Sequence, residues 1–234
     1  MKTVAIFRHY PTEGPGYFAE YLDRQGIAWR LVEIDQGEPV PTKVNDFGGL
    51  AFMGGPMSVN DDLPWIAPVL SLIRTAIAAD VPVIGHCLGG QLMAKAAGGS
   101  ISVNPVKEIG WGEVEIAQNA RAREWLGDTR SFNSFHWHGE TFSLPPGATL
   151  IASSAHCRNQ MFVLGQHHLG MQCHIEMTPE LIESWCAGGA AEIAACVSPA
   201  VMEVAAIKAE LNPRLDALRR IADKVYARWV QGLR

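Results

Sequence analysis

Residues 83–91 read VIGHCLGGQ, and this stretch predicts both a fold class and a reactive group. It begins as an apolar strand, passes through Gly-x-Cys-x-Gly at residues 85–89 and continues as a helix. Gly-x-Cys-x-Gly between a strand and a helix is the cysteine form of a nucleophile elbow. The glycines allow a tight turn that lifts the thiol of Cys87 to a helix N-terminus, where thiolate is favoured. A structural cysteine beside a glycine turn is the alternative, and the strand-to-helix context weighs against it.

Strands and helices alternate on both sides of this stretch. Strands are predicted at 3–7, 29–34, 49–53 and 81–85, and helices at 16–25, 65–79 and 88–97. Short, continuously apolar strands separated by helices are typical of βαβ units. The fold is therefore predicted to be α/β, with an open, mostly parallel sheet and helices on both faces.

The second half of the chain changes character. Short strands are predicted at 113–116, 131–137, 149–153, 160–164 and 170–174, and helices from Thr178 onward, with Pro179, Pro199 and Pro213 at helix starts. A single domain is expected over residues 1–234. Its motif-bearing core spans about 45–190 and its C-terminal helices about 178–230.

Composition excludes several classes of protein. Charged residues are 18% of the chain and the net charge is -5, which argues against a nucleic-acid binder that contacts phosphates through a basic surface. No run of about 18 apolar residues predicts a membrane span, and the N-terminus reads as a strand instead of a signal peptide. The five scattered cysteines include no Cys-x-x-Cys pair, so we expect free thiols in the cytoplasm and no metal site. His167 and His168 are adjacent in a strand pattern and point to opposite faces, so they do not form a metal pair.

A base and its orienting group are predicted at the end of another strand. His174 follows an apolar run and Glu176 lies two residues later, so both side chains can point the same way. The carboxyl ends of parallel strands meet at one edge of a sheet, where sites in open α/β folds form. His174 could therefore meet Cys87 there, giving a nucleophile, a base and an orienting carboxylate. A hydrogen-bonded core histidine is the alternative for His174 alone.

An oxyanion site would complete this chemistry. Attack on an amide carbonyl creates an oxyanion that preorganised N–H groups must bind. One donor is predicted to be the backbone of Leu88, directly after the cysteine. The other is predicted in the glycine turn that follows a neighbouring strand, with Gly55 first and Gly54 second. An ordinary strand-ending turn is the alternative.

At this point the ordered motifs resemble a known family. They are MGGPMSVND (53–61), GHCLGGQLMAKAAGG (85–99), KEIGW (107–111), HWHGETFSLPPGA (136–148), NQMFVLG (159–165) and GMQCHIE (170–176). Together they resemble class I, triad-type glutamine amidotransferases, most closely the stand-alone members related to the glutaminase domain of GMP synthetase. The resemblance covers roughly residues 45–190 and implies a flavodoxin-like fold with the site at the strand ends.

The resemblance also implies an activity. It implies hydrolysis of the side-chain amide of L-glutamine through a γ-glutamyl thioester on Cys87, with His174 as acid and base and Glu176 as orienting carboxylate. Gln91 and the segment Trp137-His138-Gly139 would hold the α-amino and carboxyl groups of the substrate. No cofactor is implied.

Three positions depart from the family pattern. His86 replaces an apolar or small residue, Glu140 replaces aspartate, and Ile175 replaces the proline between the catalytic histidine and glutamate. None of them removes a triad member. The Glu140 replacement could alter the fit of the charged end of the substrate.

Two other functions are compatible with these residues. A γ-glutamyl peptidase or hydrolase would use the same acyl-enzyme but release an amine or peptide. A non-catalytic sensor or scaffold would retain only the fold, and the intact set of Cys87, His174 and Glu176 weighs against it. The chain has no Gly-x-x-x-x-Gly-Lys-[Ser/Thr] phosphate loop, so any synthetase step would need a separate acceptor protein.

Overall fold

The computed structural model describes residues 2–234, and its ten strands join one mixed sheet. The strands are β1 (Val4–Arg8), β2 (Trp29–Glu33), β3 (Gly49–Phe52), β4 (Val83–His86), β5 (Ile101–Ile116), β6 (Ser131–Phe142), β7 (Thr149–Ser154), β8 (Met161–Leu164), β9 (His168–Met171) and β10 (Ala200–Val201). The α-helices are α1 (Gly16–Arg24), α2 (Ile66–Ala78), α3 (Leu88–Ala96), α4 (Ala120–Leu126), α5 (Pro179–Gly188), α6 (Ala190–Ala195), α7 (Val204–Lys208) and α8 (Leu211–Val230).

Parallel pairing dominates one half of the sheet. The order β2-β1-β3-β4-β9 is parallel throughout, and β8, β7, β5 and β6 extend it with antiparallel pairs. Strands β3 and β4 are buried along their whole length. Strands covered on both faces tolerate continuous apolar runs, which is why these short segments carry no alternating pattern.

Helices cover both faces of the sheet, as the sequence predicted. On one face, Phe18 of α1 packs in the same apolar cluster as Tyr226 and Trp229 of α8. On the other, Val69 of α2 and Leu92 of α3 belong to a second cluster. The predicted α/β class is therefore confirmed. Within residues 2–234, every helix is too short or too polar to cross a membrane.

Strands β5 and β6 are much longer than the sequence predicted. They pair along most of their length as an antiparallel ribbon, with a register shift between Val103 and Glu108. Pro105 lies inside that shift, and proline in a strand pattern marks a bulge or an edge. The bulge interrupts the apolar alternation, so only the last four residues of β5 were predicted as strand.

Two other expectations about the second half were wrong. Pro199 precedes the short strand β10, which pairs with β5 in parallel, and the next helix begins only at Val204. A proline φ suits extended backbone as well as a helix first turn, so the residue alone does not choose between them.

The predicted strand that would end at His174 stops at Met171, and His174 makes an isolated bridge to Phe135. Pro179 begins α5, and Pro213 lies in the first turn of α8.

Candidate active site

Cys87 occupies a strained turn between β4 and α3. Its φ is 49° and its ψ is -107°, a combination that residues with side chains rarely adopt. A Cβ on Gly85 would collide with the backbone of Gly89, so the turn can close only with glycine on that side. The backbone N–H of Cys87 donates to Met171 O at 2.8 Å. This turn is the elbow that the sequence predicted.

Parallel pairing of β4 with β9 brings the other predicted residues to Cys87. His86 is in register with Met171, so the chain leaves both strands at the same edge of the sheet. The following segment is fixed to β6, because the His174 N–H donates to Phe135 O at 2.8 Å and Ser134 Oγ donates to His174 O at 3.1 Å. The position of His174 is therefore set by backbone contacts on both sides.

His174 and Glu176 form a buried, hydrogen-bonded pair. His174 Nδ1 donates to Glu176 Oε1 at 2.6 Å. Burial alone would lower the pKa of His174, but the charge of Glu176 and the neighbouring Cys87 outweigh it and raise that pKa well above its usual value. Burial likewise opposes the ionised Glu176, yet the charge of His174 and its hydrogen bond to Glu176 lower the pKa of this carboxyl to about 2. The pair thus favours an imidazolium beside a carboxylate.

The second ring nitrogen of His174 is available to the thiol. Nε2 is buried and has no hydrogen-bond partner within residues 2–234. Cys87 is near enough to raise the pKa of His174, although no hydrogen bond of ordinary geometry joins Sγ to Nε2. Such bonds are often long before a substrate is bound. The structure brings Cys87, His174 and Glu176 together, and their catalytic roles stay predictions.

The predicted oxyanion donors lie next to each other. A Cβ on Gly55 would lie 2.8 Å from Leu88 Cδ2, so the glycine turn after β3 abuts the first residue of α3. The N–H of a first helical residue has no partner inside its helix. The Gly55 N–H makes no hydrogen bond to another backbone within the described chain. Gly54 packs instead against Glu13 and His174, and a Cβ there would have to displace the carboxylate of Glu13.

The predicted substrate-binding residues divide into two groups. Trp137 lines the cleft, and its carbonyl lies 3.9 Å from Cys87 Sγ. Gln91 is buried behind the cysteine and donates from Nε2 to Gln172 Oε1 at 3.1 Å and to Glu140 O at 3.4 Å. Its amide is therefore directed at the protein. Gly139 does not line the cleft and packs against Lys107.

The side chain of His138 points away from the cleft, against the expectation that it would touch substrate. Nε2 lies 3.0 Å from Glu108 Oε2, and Nδ1 lies 3.0 Å from Glu140 O. Trp137 and His138 are consecutive strand residues and must face opposite sides of β6. His138 can thus act on the site through the backbone of its strand, which carries the Trp137 carbonyl.

Glu108, His136 and His138 are close enough to hold a metal ion, with ligand atoms within 4.8 Å of one another. Glu108 is already satisfied by protein donors, because Ser154 Oγ and Gln160 Nε2 each lie 2.9 Å from its carboxylate in addition to His138. Burial lowers the pKa of His136 to about 4, which keeps that ring neutral. A hydrogen-bonded core network accounts for this cluster, and the expected absence of a metal site stays a prediction.

His86 lies behind the triad. It is fully buried, with Nε2 at 3.1 Å from Tyr226 OH and at 3.9 Å from Glu176 Oε2. Burial lowers its pKa to about 4 despite the nearby Glu176. This unusual residue is therefore a neutral core histidine that packs between Glu176 and α8, without access to the cleft.

Gln172 is a site residue that the sequence reasoning missed. Its Nε2 lies 3.5 Å from Cys87 Sγ, and its Oε1 accepts from Gln91. Gln172, His174 and Glu176 are spaced two residues apart, which places them on one side of extended backbone. That spacing was a signal that could have identified it.

We expect Gln172→Leu to lower kcat/KM for the proposed hydrolysis by about ten- to a hundredfold, because a hydrogen bond to the sulfur as it takes on charge during attack is worth roughly 1.5–3 kcal/mol. Steady-state kinetics and the melting temperature would be measured together. Gln166→Leu, in the exposed turn before β9, is the matched control. Wild-type kinetics in the Gln172 variant would contradict a role for this amide.

A cavity of about 300 Å³ opens above Cys87 and His174. Its wall includes the aromatic residues Tyr10, Trp137 and Trp185 and the carboxylates Glu13 and Glu192. Trp185 of α5 stacks edge-on against His174, with ring centroids 4.8 Å apart. Glu13 was also missed, because nothing in the sequence of its loop marks it. The cleft is small enough to enclose the side chain of one amino acid and open enough to admit a substituent on it.

Comparison with known proteins agrees with this geometry. Residues 18–184 match the model of the family "Glutamine amidotransferase class-I". A glutamine amidotransferase-like protein of Salmonella typhimurium is 29% identical over 181 residues, 75% of this chain and 76% of that protein. Gamma-glutamyl peptidase 3 of Arabidopsis thaliana is 28% identical over 178 residues, 71% of each chain. The crystal structure of a glutamine amido transferase from Methylobacillus flagellatus superposes with a TM-score of 0.98 at 45% identity, covering 100% of this chain and 96% of that one.

Proposed function

Because this chain belongs to the class-I glutamine amidotransferase family, we propose that it hydrolyses the γ-amide of L-glutamine through a thioester on Cys87. The observation that supports this most directly is the cleft in which Cys87, the His174–Glu176 pair and the Gly55 turn meet. The products would be ammonia and glutamate. No cofactor takes part in this proposal.

The first half of the reaction forms the thioester. The thiol proton passes to His174 Nε2, and Sγ attacks the amide carbon, so that a C–S bond forms and the carbonyl becomes an oxyanion. Gly55 N–H and Leu88 N–H would bind that oxygen. His174 then returns the proton to the amide nitrogen, the C–N bond breaks and ammonia leaves. Glu176 stabilises the imidazolium in between.

The second half regenerates the enzyme. His174 Nε2 removes a proton from a water molecule, whose oxygen attacks the thioester carbon. The resulting oxyanion collapses, the C–S bond breaks, and Cys87 recovers its proton from His174. The net reaction consumes one water and requires neither an oxidant nor a reductant.

A γ-glutamyl hydrolase or peptidase is the second candidate, because three aromatic side chains that could contact a larger leaving group line the same cleft as Cys87. One relative also carries the name gamma-glutamyl peptidase. The intermediate would be the same, and an amine or peptide would leave in place of ammonia. A separate acceptor protein that consumes the ammonia is compatible with the first candidate.

A product assay on the purified chain distinguishes these functions. We expect glutamate and ammonia from L-glutamine, or glutamate and free amine from γ-glutamyl amides, without ATP. Ammonia would be measured by a coupled dehydrogenase and amines by chromatography. Turnover of neither class by the chain alone would contradict both candidates and favour a role as a scaffold.

A further inference from the structure

Two carboxylates and no described Lys or Arg side chain belong to the wall of the cleft. The carboxylates are those of Glu13 and Glu192. Glu192 is already paired, because Oε1 lies 2.5 Å from Lys107 Nζ and Oε2 accepts from Trp137 Nε1 at 3.0 Å. Glu13 forms no ion pair with a Lys or Arg within residues 2–234, and His174 is the cationic group whose charge acts on it.

Glu13 is held in a fixed position on the loop after β1. Its N–H donates to Tyr10 O at 3.0 Å, and Trp185 Nε1 donates to the neighbouring Thr12 O at 2.8 Å. Within residues 2–234 its half-buried carboxylate makes neither a hydrogen bond nor an ion pair. Burial raises its pKa to about 7, against the opposing charge of His174 and with a further increase from Glu176. A cationic ligand beside Glu13 would therefore stabilise the ionised form of this carboxylate.

The position of Glu13 identifies the end of the substrate that it faces. Glu13 Oε2 and His174 Cε1 lie next to each other, because a Cβ added to Gly54 would meet both atoms. Cε1 is the ring atom bonded to Nε2, and Nε2 is the atom that would protonate the leaving nitrogen. Trp137 would hold the glutamate end of the substrate, and it lies on β6. In the strand order, β6 is on one side of β4, which carries the chain to Cys87, and β1, which precedes the Glu13 loop, is on the other. Glu13 therefore borders the space into which a substituent on the leaving nitrogen extends.

We propose that Glu13 makes the site selective for γ-glutamyl amides whose leaving amine carries a second, cationic group. This rests on the proposed hydrolysis through Cys87. The carboxylate binds the distal ammonium, and the rings of Tyr10 and Trp185, which line the same cleft, can contact the cation and the alkyl chain. A leaving group that ends in a carboxylate is repelled, since no described Lys or Arg lines this wall to bind it.

Three γ-glutamyl amides of equal chain length test the proposal: the butylamide, the 4-aminobutylamide and the 3-carboxypropylamide. They differ only in a neutral, cationic or anionic end. At pH 8, above the pKa of about 7, Glu13 is ionised. We expect the wild-type kcat/KM to be roughly tenfold higher for the cationic amide than for the neutral one, and lowest for the anionic one.

Glu13→Gln should bring the ratio of cationic to neutral turnover close to one and raise the relative rate of the anionic amide. Glu115→Gln, on an exposed position of β5, removes the same charge outside the cleft and should leave both ratios unchanged. If Glu13→Gln does not fold, the wild-type series still tests the proposal, because equal turnover of the cationic and neutral amides would overturn it without any variant.

Binding of the three amides to Cys87→Ala, measured by calorimetry, separates recognition of the leaving amine by Glu13 from hydrolysis through Cys87. Hydrolysis without a preference for the cation, or ratios unchanged in Glu13→Gln, overturns the role of Glu13 while the proposed function stands. Selective binding of the cationic amide, without turnover of any amide or of L-glutamine, overturns the hydrolysis and keeps the recognition. Turnover of L-glutamine without binding or turnover of the three amides overturns the role of Glu13 alone. Absence of binding and of all turnover, that of L-glutamine included, overturns both.

Discussion

Cys87→Ala is expected to lower the turnover of L-glutamine or γ-glutamyl amides by about ten-thousand-fold or more, because no thioester can form without the sulfur. The fold should remain intact. The side chain extends from a strained turn into the cleft, and its loss removes no large apolar group from the core. Kinetics with circular dichroism of the purified variant would measure both effects. Cys196→Ala, at a residue that does not line the cleft, is the matched control.

The same prediction can be tested by labelling. A glutamine analogue with an electrophile at the γ-carbon should modify Cys87 ahead of the other four cysteines. Burial raises the pKa of Cys173 to about 12 and also raises the pKa of Cys157 and Cys186, so these thiols are weak nucleophiles. Activity that survives Cys87→Ala, or labelling spread evenly over the five positions, would reject the assignment.

His174→Asn is expected to lower kcat by about a thousandfold, because general acid and base catalysis of this kind contributes 10²–10⁴. The thiol would lose its proton acceptor and the leaving nitrogen its proton donor. Glu176→Gln should have a smaller effect. The amide oxygen can still accept from Nδ1, at present a 2.6 Å bond, but it cannot stabilise the imidazolium by charge.

Stopped-flow measurement of thioester formation and steady-state kcat would give both effects. His156→Asn, on a loop outside the cleft, is the control for loss of an imidazole. A larger loss in Glu176→Gln than in His174→Asn would mean that the roles of base and orienting group were assigned to the wrong residues.

Local sequence determined the features that depend on local physics. Gly85 and Gly89 around Cys87 predicted a turn that only small residues permit, and the turn is present with a positive φ at the cysteine. The apolar runs before and after it predicted the parallel half of the sheet, since strands buried on both faces carry continuous apolar residues. The ordered motifs predicted the family, and the match over residues 18–184 confirms it.

The site was predictable only in part. His174 and Glu176 could be identified because they follow a strand, but their distance from Cys87 depends on the pairing of β4 with β9. Of the predicted segment 137–139, Trp137 lines the cleft and His138 and Gly139 do not, because the register of β6 against β5 decides which side chain faces it. Glu108 is directly opposite His138 in that register, and it contacts the histidine ring on the face of β6 that is turned away from the cleft.

The sequence by itself determined the nucleophile turn, the α/β class and the residues from which a triad could form, because each follows from local backbone preference or burial pattern. Only the tertiary structure decided that Glu13 and Trp185 border the cleft. Glu13 lies on the loop after β1, and the strand order β9-β4-β3-β1 brings this loop to Cys87. Trp185 lies on α5, which packs against the same loop. Contacts between segments so distant in the chain depend on strand order and side-chain packing, which leave no periodic trace in either segment.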